Sequence, residues 1–257
     1  FSFMCYNVFG DIMNNYFNNI LNVDMIDSTN KELKKEKYNS YDSFVLISNE
    51  QTEGHGRMDR TFVSNKDKGL YMSIRIKPDV EISQLNNITC VIACIVSKAI
   101  EQQINQLVDI KWVNDLYLNG FKVSGILVES KINFNTNKFE YLVIGIGVNL
   151  YKQEFHPELQ NIASSIEEQT NVVINKQQLI NDILDELSNY VSSFDSTNYM
   201  KHYIQRSFII GKKVKLQTSQ ELIDCVVLDI DYNGQLVIEH NNTVKSVNSA
   251  EVIKTYL

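Results

Sequence analysis

A short segment between two apolar runs carries residue types that bind anions. It reads Gly54-His55-Gly56-Arg57-Met58-Asp59-Arg60. Glycines let a backbone approach a ligand closely, and arginine can grip a phosphate or carboxylate through two parallel hydrogen bonds. The pattern therefore predicts an anion-binding loop, although a glycine-rich basic loop is also typical of an ordinary surface turn.

Two further segments combine charged and apolar residues. Lys111-Trp112-Val113-Asn114-Asp115 places a cation, an aromatic ring, an amide and a carboxylate at the end of a predicted strand. Lys122 opens the next apolar run, in which Gly125 leaves room for a ligand or a neighbouring backbone. This mixture indicates a cleft. The alternative is a core tryptophan beside a solvated Lys–Asp pair, with Lys122 flanking an edge strand.

Three other patterns in the sequence do not indicate a further chemical site. Gly145-Ile146-Gly147 resembles half of a dinucleotide fingerprint, but neither a third glycine nor a convincing helix follows, so a Rossmann fold is not predicted. The histidines lack ligand spacing, so no zinc or other metal site is assigned: His55, His156, His202 and His240. No Cys-x-x-Cys pair occurs among Cys5, Cys90, Cys94 and Cys225. Cys90 and Cys94 fall at helical spacing inside an apolar run, which predicts buried thiols and a reducing cytoplasmic or organellar compartment.

The bulk composition excludes further classes. The 257 residues are 44% hydrophobic and 21% charged, as in ordinary globular proteins. A net charge of -7 argues against a protein that coats nucleic acid. No apolar stretch is expected to reach the length of a membrane span, and the segment 1–23 lacks the pattern of a signal peptide. We therefore expect neither nucleic acid nor a membrane as a partner.

Apolar periodicity predicts the elements that position these residues. Thr29 is predicted as the N-cap of a helix, with Glu32 closing a capping box. A helix from Ile88 to Ile104 should back a sheet. Further helices are expected over 179–191 and 197–208, and strands over 44–47, 70–76, 108–112, 122–129 and 140–148, with a turn at 118–120 and antiparallel pairing.

Beyond Gly211 the pattern changes to short alternating strands separated by Asn-Gly and Asn-Asn turns. They are expected over 214–216, 223–230, 235–239, 243–247 and 251–253. Such spacing is typical of a small barrel. The predicted fold class is α+β, with a mixed sheet backed by helices over 1–210 and a compact β module over 211–257.

Taken in order, five segments resemble the successive motifs of biotin protein ligases. They are Asp27-Ser28-Thr29-Asn30, then Gln51 with Gly54-His55-Gly56-Arg57 and Arg60, then Lys111 to Asp115, then Lys122-Val123-Ser124-Gly125-Ile126-Leu127-Val128-Glu129, and finally Gly145-Ile146-Gly147-Val148-Asn149. The resemblance runs from about Val23 to the end of the chain, because the last strands look like the SH3-like domain of that family.

The resemblance implies a catalytic domain of the class II synthetase type followed by an SH3-like β-barrel. It also implies a two-step reaction, in which biotin and ATP form biotinyl-5′-AMP and a lysine of a carrier protein then takes the biotinyl group. Mg²⁺ would accompany the triphosphate. The implied partner is the biotin carrier domain of a carboxylase such as acetyl-CoA carboxylase, and a homodimer is left open.

Residue roles carried over from the resemblance form three groups. Ser28, Thr29, Asn30 and Gln51 would meet the ureido ring of biotin, with Ile126 and Val128 as apolar walls, although helix capping is the other account of Ser28 and Thr29. Arg57, Arg60 and Lys122 would neutralise the reacting anions with help from Asp115, in a loop that Gly54, His55 and Gly56 allow to close and that is expected to be mobile without ligand. Phe62 would stack on adenine and Asn149 would hydrogen-bond it, while Lys111, Trp112 and Gly125 complete the ligand site.

The chain departs from the family pattern at several positions. His55 stands where Arg is common, Val113 replaces Pro and Phe62 replaces Trp, while Asp59 adds a carboxylate to the loop and Ala250 replaces Gly near the end. Because Arg57, Lys122 and Asp115 are retained, we expect slower or weaker binding at most.

Three other functions are alternatives to biotin ligation. A lipoate ligase or octanoyltransferase shares the expected fold, but its run of arginines and glycines followed by His-Asp is absent, while Lys-Trp-x-Asn-Asp is present. A DNA-binding regulator would need a winged helix, which is not expected ahead of Met25, and the acidic charge opposes it. A non-catalytic biotin-binding protein stays open because of the altered loop.

Overall fold

The structure is a computed structural model that describes residues 16–256, apart from the side chain of Asp59. Cys5, most of the segment 1–23 and the Asp59 carboxylate therefore lie outside the described residues. Cys90, Cys94 and Cys225 are buried free thiols, as predicted. Burial raises the pKa of Cys90 and of Cys94 to about 12, so both thiols stay protonated at neutral pH.

Seven strands build one mixed sheet. They are β1 (Ile20–Ile26), β2 (Ser43–Gln51), β3 (Gly69–Ile76), β4 (Asp109–Lys111), β5 (Asp115–Leu118), β6 (Phe121–Asn133) and β7 (Lys138–Asn149). Their spatial order is β1-β2-β3-β7-β6-β5-β4. The pair β1–β2 is parallel and the other pairs are antiparallel, which confirms the antiparallel pairing expected for the later strands.

Five α-helices accompany this sheet within the described residues. They are α1 (Thr29–Leu33), α2 (Ile88–Ile104), α3 (Ile166–Thr170), α4 (Lys176–Ser193) and α5 (Thr197–Arg206). Helix α2 begins and ends where the periodicity predicted, and it packs against α4, α5 and the sheet. Strands β1 and β5 and helix α3 were not predicted. They are short or carry polar residues, so their apolar pattern is weak.

Helix α2 accounts for one wrong expectation. Residues Ile82–Ile104 are long and apolar enough, by length and composition, to cross a membrane. Most of this segment is buried inside the protein, and most residues of α2 belong to the main core. A helix that is largely covered by protein is apolar over most of its surface, so the composition follows from core packing.

The N-terminus of α1 also differs from the prediction. Ser28 is the N-cap, and its side chain accepts a hydrogen bond from the Lys31 backbone at 3.4 Å. Thr29 is the first helical residue, and its hydroxyl donates to Gln51 instead. Glu32 bonds Tyr38 and pairs with lysines, so no capping box forms.

The two faces of the sheet have different roles because successive side chains of a strand point to opposite sides. On β7, Ile144, Ile146 and Val148 belong to the main core with α2. The alternate positions are Val143, which packs in a small cluster with Leu33 of α1, followed by glycines at 145 and 147. On the α1 face, β7 therefore leaves room for side chains from other parts of the chain.

A second, antiparallel sheet follows α5. It contains β8 (Lys213–Gln217), β9 (Leu222–Ile230), β10 (Leu236–His240), β11 (Thr243–Val247) and β12 (Glu251–Thr255), in the order β11-β10-β9-β8-β12. All five strands were predicted. The main core extends from α2 into this sheet without a break. The division at residue 210 into two domains stays a prediction.

The turn between β9 and β10 joins the second sheet to the rest of the molecule. Trp112, which is 3% exposed, donates its indole N–H to the Gly234 carbonyl at 2.9 Å. Asn87, just before α2, donates to the Tyr232 carbonyl at 2.7 Å. Gly234 has a φ of 78°, and a Cβ there would lie 3.0 Å from the sulfur of Cys90, so the turn requires glycine.

We predict that Trp112→Phe destabilises the protein by about 1–3 kcal/mol, because the buried Gly234 carbonyl loses its donor. Trp112 is the chain's single tryptophan, so the variant has no tryptophan fluorescence to report unfolding. Urea unfolding is therefore monitored by circular dichroism. Tyr232→Phe is the control, because that ring is exposed in the same turn. Equal unfolding midpoints for the two variants would refute the proposed role of the hydrogen bond.

Candidate active site

A cavity of about 630 Å³ opens on the α1 face of the sheet. Its floor is made of β6 and β7, where Gly125 lies directly across from Gly147 and Leu127 across from Gly145. A Cβ on Gly145 would collide with the Asn30 amide, and a Cβ on Gly147 would lie 2.5 Å from the Phe62 ring. The cavity and its lining therefore depend on the missing side chains of these two glycines.

The structure brings nearly all of the predicted site residues to this cavity. Those that line it are Ser28, Thr29, Asn30, Gln51, His55, Gly56, Arg57, Arg60, Phe62, Lys111, Trp112, Asp115, Lys122, Gly125 and Asn149. Gly54 does not line it. Instead, a Cβ at Gly54 would collide with the Phe62 carbonyl, so this glycine lets the two legs of the loop approach each other.

The predicted apolar walls need a correction. Ile126 and Val128 belong to the main core side of β6. Ile126 borders the cavity, but its side chain is buried in the core, and Val128 does not line the cavity. The cavity side of β6 carries Gly125 and Leu127 instead. The alternation of a strand decides this, since both predicted residues have the parity of the buried face.

One end of the cavity is lined by uncharged polar groups. The Gln51 side-chain oxygen accepts from the Thr29 backbone at 2.9 Å and from the Thr29 hydroxyl at 3.0 Å. The Gln51 amide nitrogen donates to Ser64 at 3.0 Å. Asn30 donates to the Leu127 carbonyl and to Glu129. These bonds fix the amides of Gln51 and Asn30 before any ligand arrives.

The glycine–arginine loop folds back on itself and reaches the second sheet. Phe62 N–H donates to the Gly54 carbonyl at 2.9 Å, and Gly56 N–H donates to the Arg60 carbonyl at 2.7 Å. Arg57 donates to Asn114 and to the Ala250 carbonyl, each at 3.3 Å. Arg60 forms an ion pair with Glu251. That the loop is mobile without ligand stays a prediction.

Cations converge on the other end of the cavity. Lys122 lies 2.7 Å from Asp115, which sits on the neighbouring strand β5. Lys111 lies on β4, and burial lowers its pKa, while the nearby Asp115 carboxylate acts in the opposite direction. Because Lys122 and Arg60 also face Lys111, this end holds more cations than carboxylates. It is suited to a multiply charged anion.

Phe62 and Asn149 lie between the two ends of the cavity. The Phe62 ring packs against Gly147 and reaches Gly125. Asn149, which is 4% exposed, donates to the Ser164 carbonyl at 3.1 Å. Its side-chain oxygen is buried without a hydrogen-bond partner among the described residues. A buried acceptor without a donor is costly, so this atom is available for a donor on a ligand.

One wall of the cavity was missed in the sequence. It is the segment after β7, which contributes Phe155, Leu159, Asn161, Ile162 and Ala163. The Lys122 N–H donates to the Ile162 carbonyl at 2.8 Å, and the Ser164 N–H donates to the Lys122 carbonyl at 3.0 Å. The segment has no periodic pattern, so nothing in it predicted that it lies beside Lys122. Glu251 was also missed: its strand was predicted, but nothing in the local pattern placed that strand beside the glycine–arginine loop.

A protein-built metal centre is not found among residues 16–256, where no group of three or more histidine, cysteine or acidic side chains is placed to hold an ion. The carboxylates beside the cavity are paired with cations: Asp115 with Lys122, and Glu251 with Arg60. These residues do not fit a resident metal ion.

Comparison with known proteins gives the class of this fold and site. Residues 23–149 match the model of the biotin/lipoate A/B protein ligase family, and the chain belongs to this family. The bifunctional ligase/repressor BirA of Bacillus subtilis is 29% identical over 242 residues, which cover 89% of this chain and 72% of the relative.

Two further matches agree with this assignment. The biotin--[acetyl-CoA-carboxylase] ligase of Mycobacterium tuberculosis is 24% identical over 222 residues, covering 82% of this chain and 79% of the relative. The crystal structure of the biotin protein ligase from Aquifex aeolicus in complex with biotin and ATP superposes with a TM-score of 0.77 at 26% identity, covering 91% of this chain and 97% of that chain.

Lys111 makes anion binding dependent on pH. Because its pKa is lowered, the ammonium group loses its proton at a lower pH than an exposed lysine does. The affinity for pyrophosphate should be highest below that pKa and should fall as the pH is raised through it. Trp112 fluorescence measures the binding.

Lys111→Arg is the matched variant for this prediction, because a guanidinium keeps its charge over the whole range. We expect a flatter decline for the variant than for the wild type. Identical pH profiles would show that Lys111 does not face the anion.

Proposed function

We propose that this protein is an ATP-dependent biotin protein ligase that forms biotinyl-5′-AMP and transfers the biotinyl group to a lysine of a carrier domain. Three findings support the proposal: the family of the chain, its similarity to a ligase named for acetyl-CoA carboxylase, and its similarity to a ligase structure with biotin and ATP. One observation carries it. A single cavity joins an uncharged polar end to a cationic end across a floor of glycines.

The polar end matches a cyclic urea in its free donors and acceptors. Ser28 accepts from a backbone N–H and keeps its own hydroxyl proton. Gln51 uses one amide proton on Ser64, which leaves the second. These two donors suit the carbonyl oxygen of the urea, while the oxygens of Thr29 and Asn30 suit its two N–H groups. Uncharged partners are appropriate because the urea is neutral.

The cationic end is suited to activating a carboxylate. In the first step an oxygen of the biotin carboxylate attacks the α-phosphorus of ATP, and the bond to pyrophosphate breaks. Two anions must approach each other, so Arg57 and Lys122 would offset their repulsion and hold the charge that develops on the phosphate. Asp115 orients the Lys122 ammonium through their ion pair.

The middle of the cavity is suited to the adenine ring. Phe62 offers an aromatic face, and the unpartnered oxygen of Asn149 accepts from the exocyclic amine of adenine. Mg²⁺ enters with the nucleotide as part of the MgATP substrate, since the described residues offer no centre of their own for it.

The second step needs a protein amine. The nitrogen of a lysine on the carrier attacks the acyl carbon, the bond to AMP breaks, and the amine loses a proton as the amide forms. The proposed partner is the biotin carrier domain of a carboxylase, which rests on the name of the related mycobacterial enzyme. Three expectations from the sequence remain part of this proposal: an SH3-like form of the second sheet, a reducing compartment and a possible homodimer.

Intact mass spectrometry of a carrier domain after incubation with the protein, biotin and MgATP tests this function. The expected result is one biotinyl group on the carrier. The same incubation is repeated with lipoate in place of biotin. Turnover with lipoate but not with biotin would identify a lipoate ligase. Biotin binding without release of pyrophosphate would establish a binding protein and overturn the proposal.

We predict that Lys122→Ala and Arg57→Ala each lower the rate of biotinyl-AMP formation by at least about tenfold, because each removes a positioned charge from the reacting anions. Single-turnover release of pyrophosphate measures this step. Lys245→Ala is the control, since that lysine is exposed on β11. Wild-type rates in both site variants would reject the assigned roles.

Gly145 and Gly147 allow the two ends of the cavity to be tested separately. Gly147→Ala should displace Phe62 and raise the KM for ATP by about tenfold, while Gly145→Ala should displace Asn30 and raise the KM for biotin by a similar factor. Steady-state kinetics with one substrate saturating measures each constant. If each variant changes both constants equally, the two ends do not bind separate ligands.

A further inference from the structure

Ser73 lies at the centre of β3 behind the polar end of the cavity. It is fully buried and does not line the cavity. Its hydroxyl oxygen lies 2.6 Å from the Thr29 hydroxyl and 2.5 Å from the Asn30 side-chain oxygen. Ser73 is thus in contact with two residues of the polar end but has no access to a ligand.

The protons around Ser73 can be counted. Thr29 donates its hydroxyl proton to the Gln51 oxygen. Asn30 donates its amide protons to the Leu127 carbonyl and to Glu129. Neither neighbour has a proton left for Ser73, so the Ser73 hydroxyl is the donor in both contacts. It has one proton for two acceptors.

This shortage has a consequence for the cavity. Whichever oxygen receives the proton, the other lacks a donor, and both belong to residues that line the cavity. A buried acceptor without a donor favours a ligand that brings an N–H group. The Ser73 hydroxyl also holds the Asn30 amide with its oxygen, rather than its nitrogen, on this side.

We propose that Ser73 is a positioning residue that fixes Thr29 and Asn30 as acceptors for the N–H groups of the cyclic urea. This inference rests on the proposed function and deepens it, because it assigns ring recognition to a residue outside the cavity. The hydroxyl also continues the hydrogen-bonded series through Thr29 and Gln51 to Ser64, which donates to the Phe62 carbonyl at 3.0 Å. The residues proposed to bind the ring are thus connected by hydrogen bonds to the base of the glycine–arginine loop.

Ser73→Ala tests the proposal in the full chain. The KM for biotin should rise about tenfold, because the Thr29 hydroxyl and the Asn30 amide lose the contact that fixes the orientation of their oxygens. The kcat and the KM for ATP at saturating biotin should stay within about twofold, since Ser73 reaches neither the nucleotide nor the carboxylate. A loss of folded protein would lower the apparent kcat instead, so this split separates positioning from a purely structural role.

Two matched variants accompany it. Ser73→Thr keeps the hydroxyl and should restore most of the affinity for biotin. Ser48→Ala removes an equally buried serine hydroxyl from β2, where it donates to the Glu50 carbonyl at 2.6 Å, and should leave the KM for biotin unchanged. Desthiobiotin keeps the urea and lacks the sulfur, so Ser73→Ala should weaken it by the same factor as biotin.

The outcomes are distinct. If the wild type forms no biotinyl-AMP, the proposed function fails. If the wild type is active and Ser73→Ala keeps its KM for biotin, the positioning role is wrong. A penalty that appears with biotin but not with desthiobiotin would place the effect at the sulfur ring and would also overturn the proposal.

Discussion

The absence of side chains on one face of two paired strands is the constraint on which this structure depends. Gly125, Gly145 and Gly147 leave the surface of β6 and β7 open at the positions that face α1. Asn30 occupies the space above Gly145, and Phe62 occupies the space above Gly147. The opposite face of the same strands carries residues of the main core, which also includes α2. The sheet is therefore a rigid core element on one side and the floor of a cavity on the other.

The charged side chains around the cavity are close together and only partly paired. Several cations lie close together, and each carboxylate beside them pairs with one: Asp115 with Lys122, and Glu251 with Arg60. Burial disfavours the ammonium form of Lys111, so this charge costs free energy. An anionic ligand would relieve this cost. The cations are thus placed to complement the charge of an anionic ligand.

The second sheet is part of the site. Trp112 contacts the β9–β10 turn, and Arg57 and Arg60 contact the chain around Ala250 and Glu251. The motifs that carry charge thus lie between the two sheets. Because one continuous core includes both sheets, the loop is supported from the side of β12 as well as from its own legs.

The sequence by itself determined most of the secondary structure and singled out many of the residues that line the cavity. The apolar period placed α2, α4 and the strands of the second sheet, because long periodic segments have only one way to bury their apolar face. Residue types at fixed spacing indicated the anion loop and the motif from Lys111 to Asp115. Only the tertiary structure decided that Ser28, rather than Thr29, caps α1 and that Ile126 points to the core. It also placed Ser73, Glu251 and the segment around Ile162 at the site, because contacts between distant parts of a chain are set by packing and not by any local pattern.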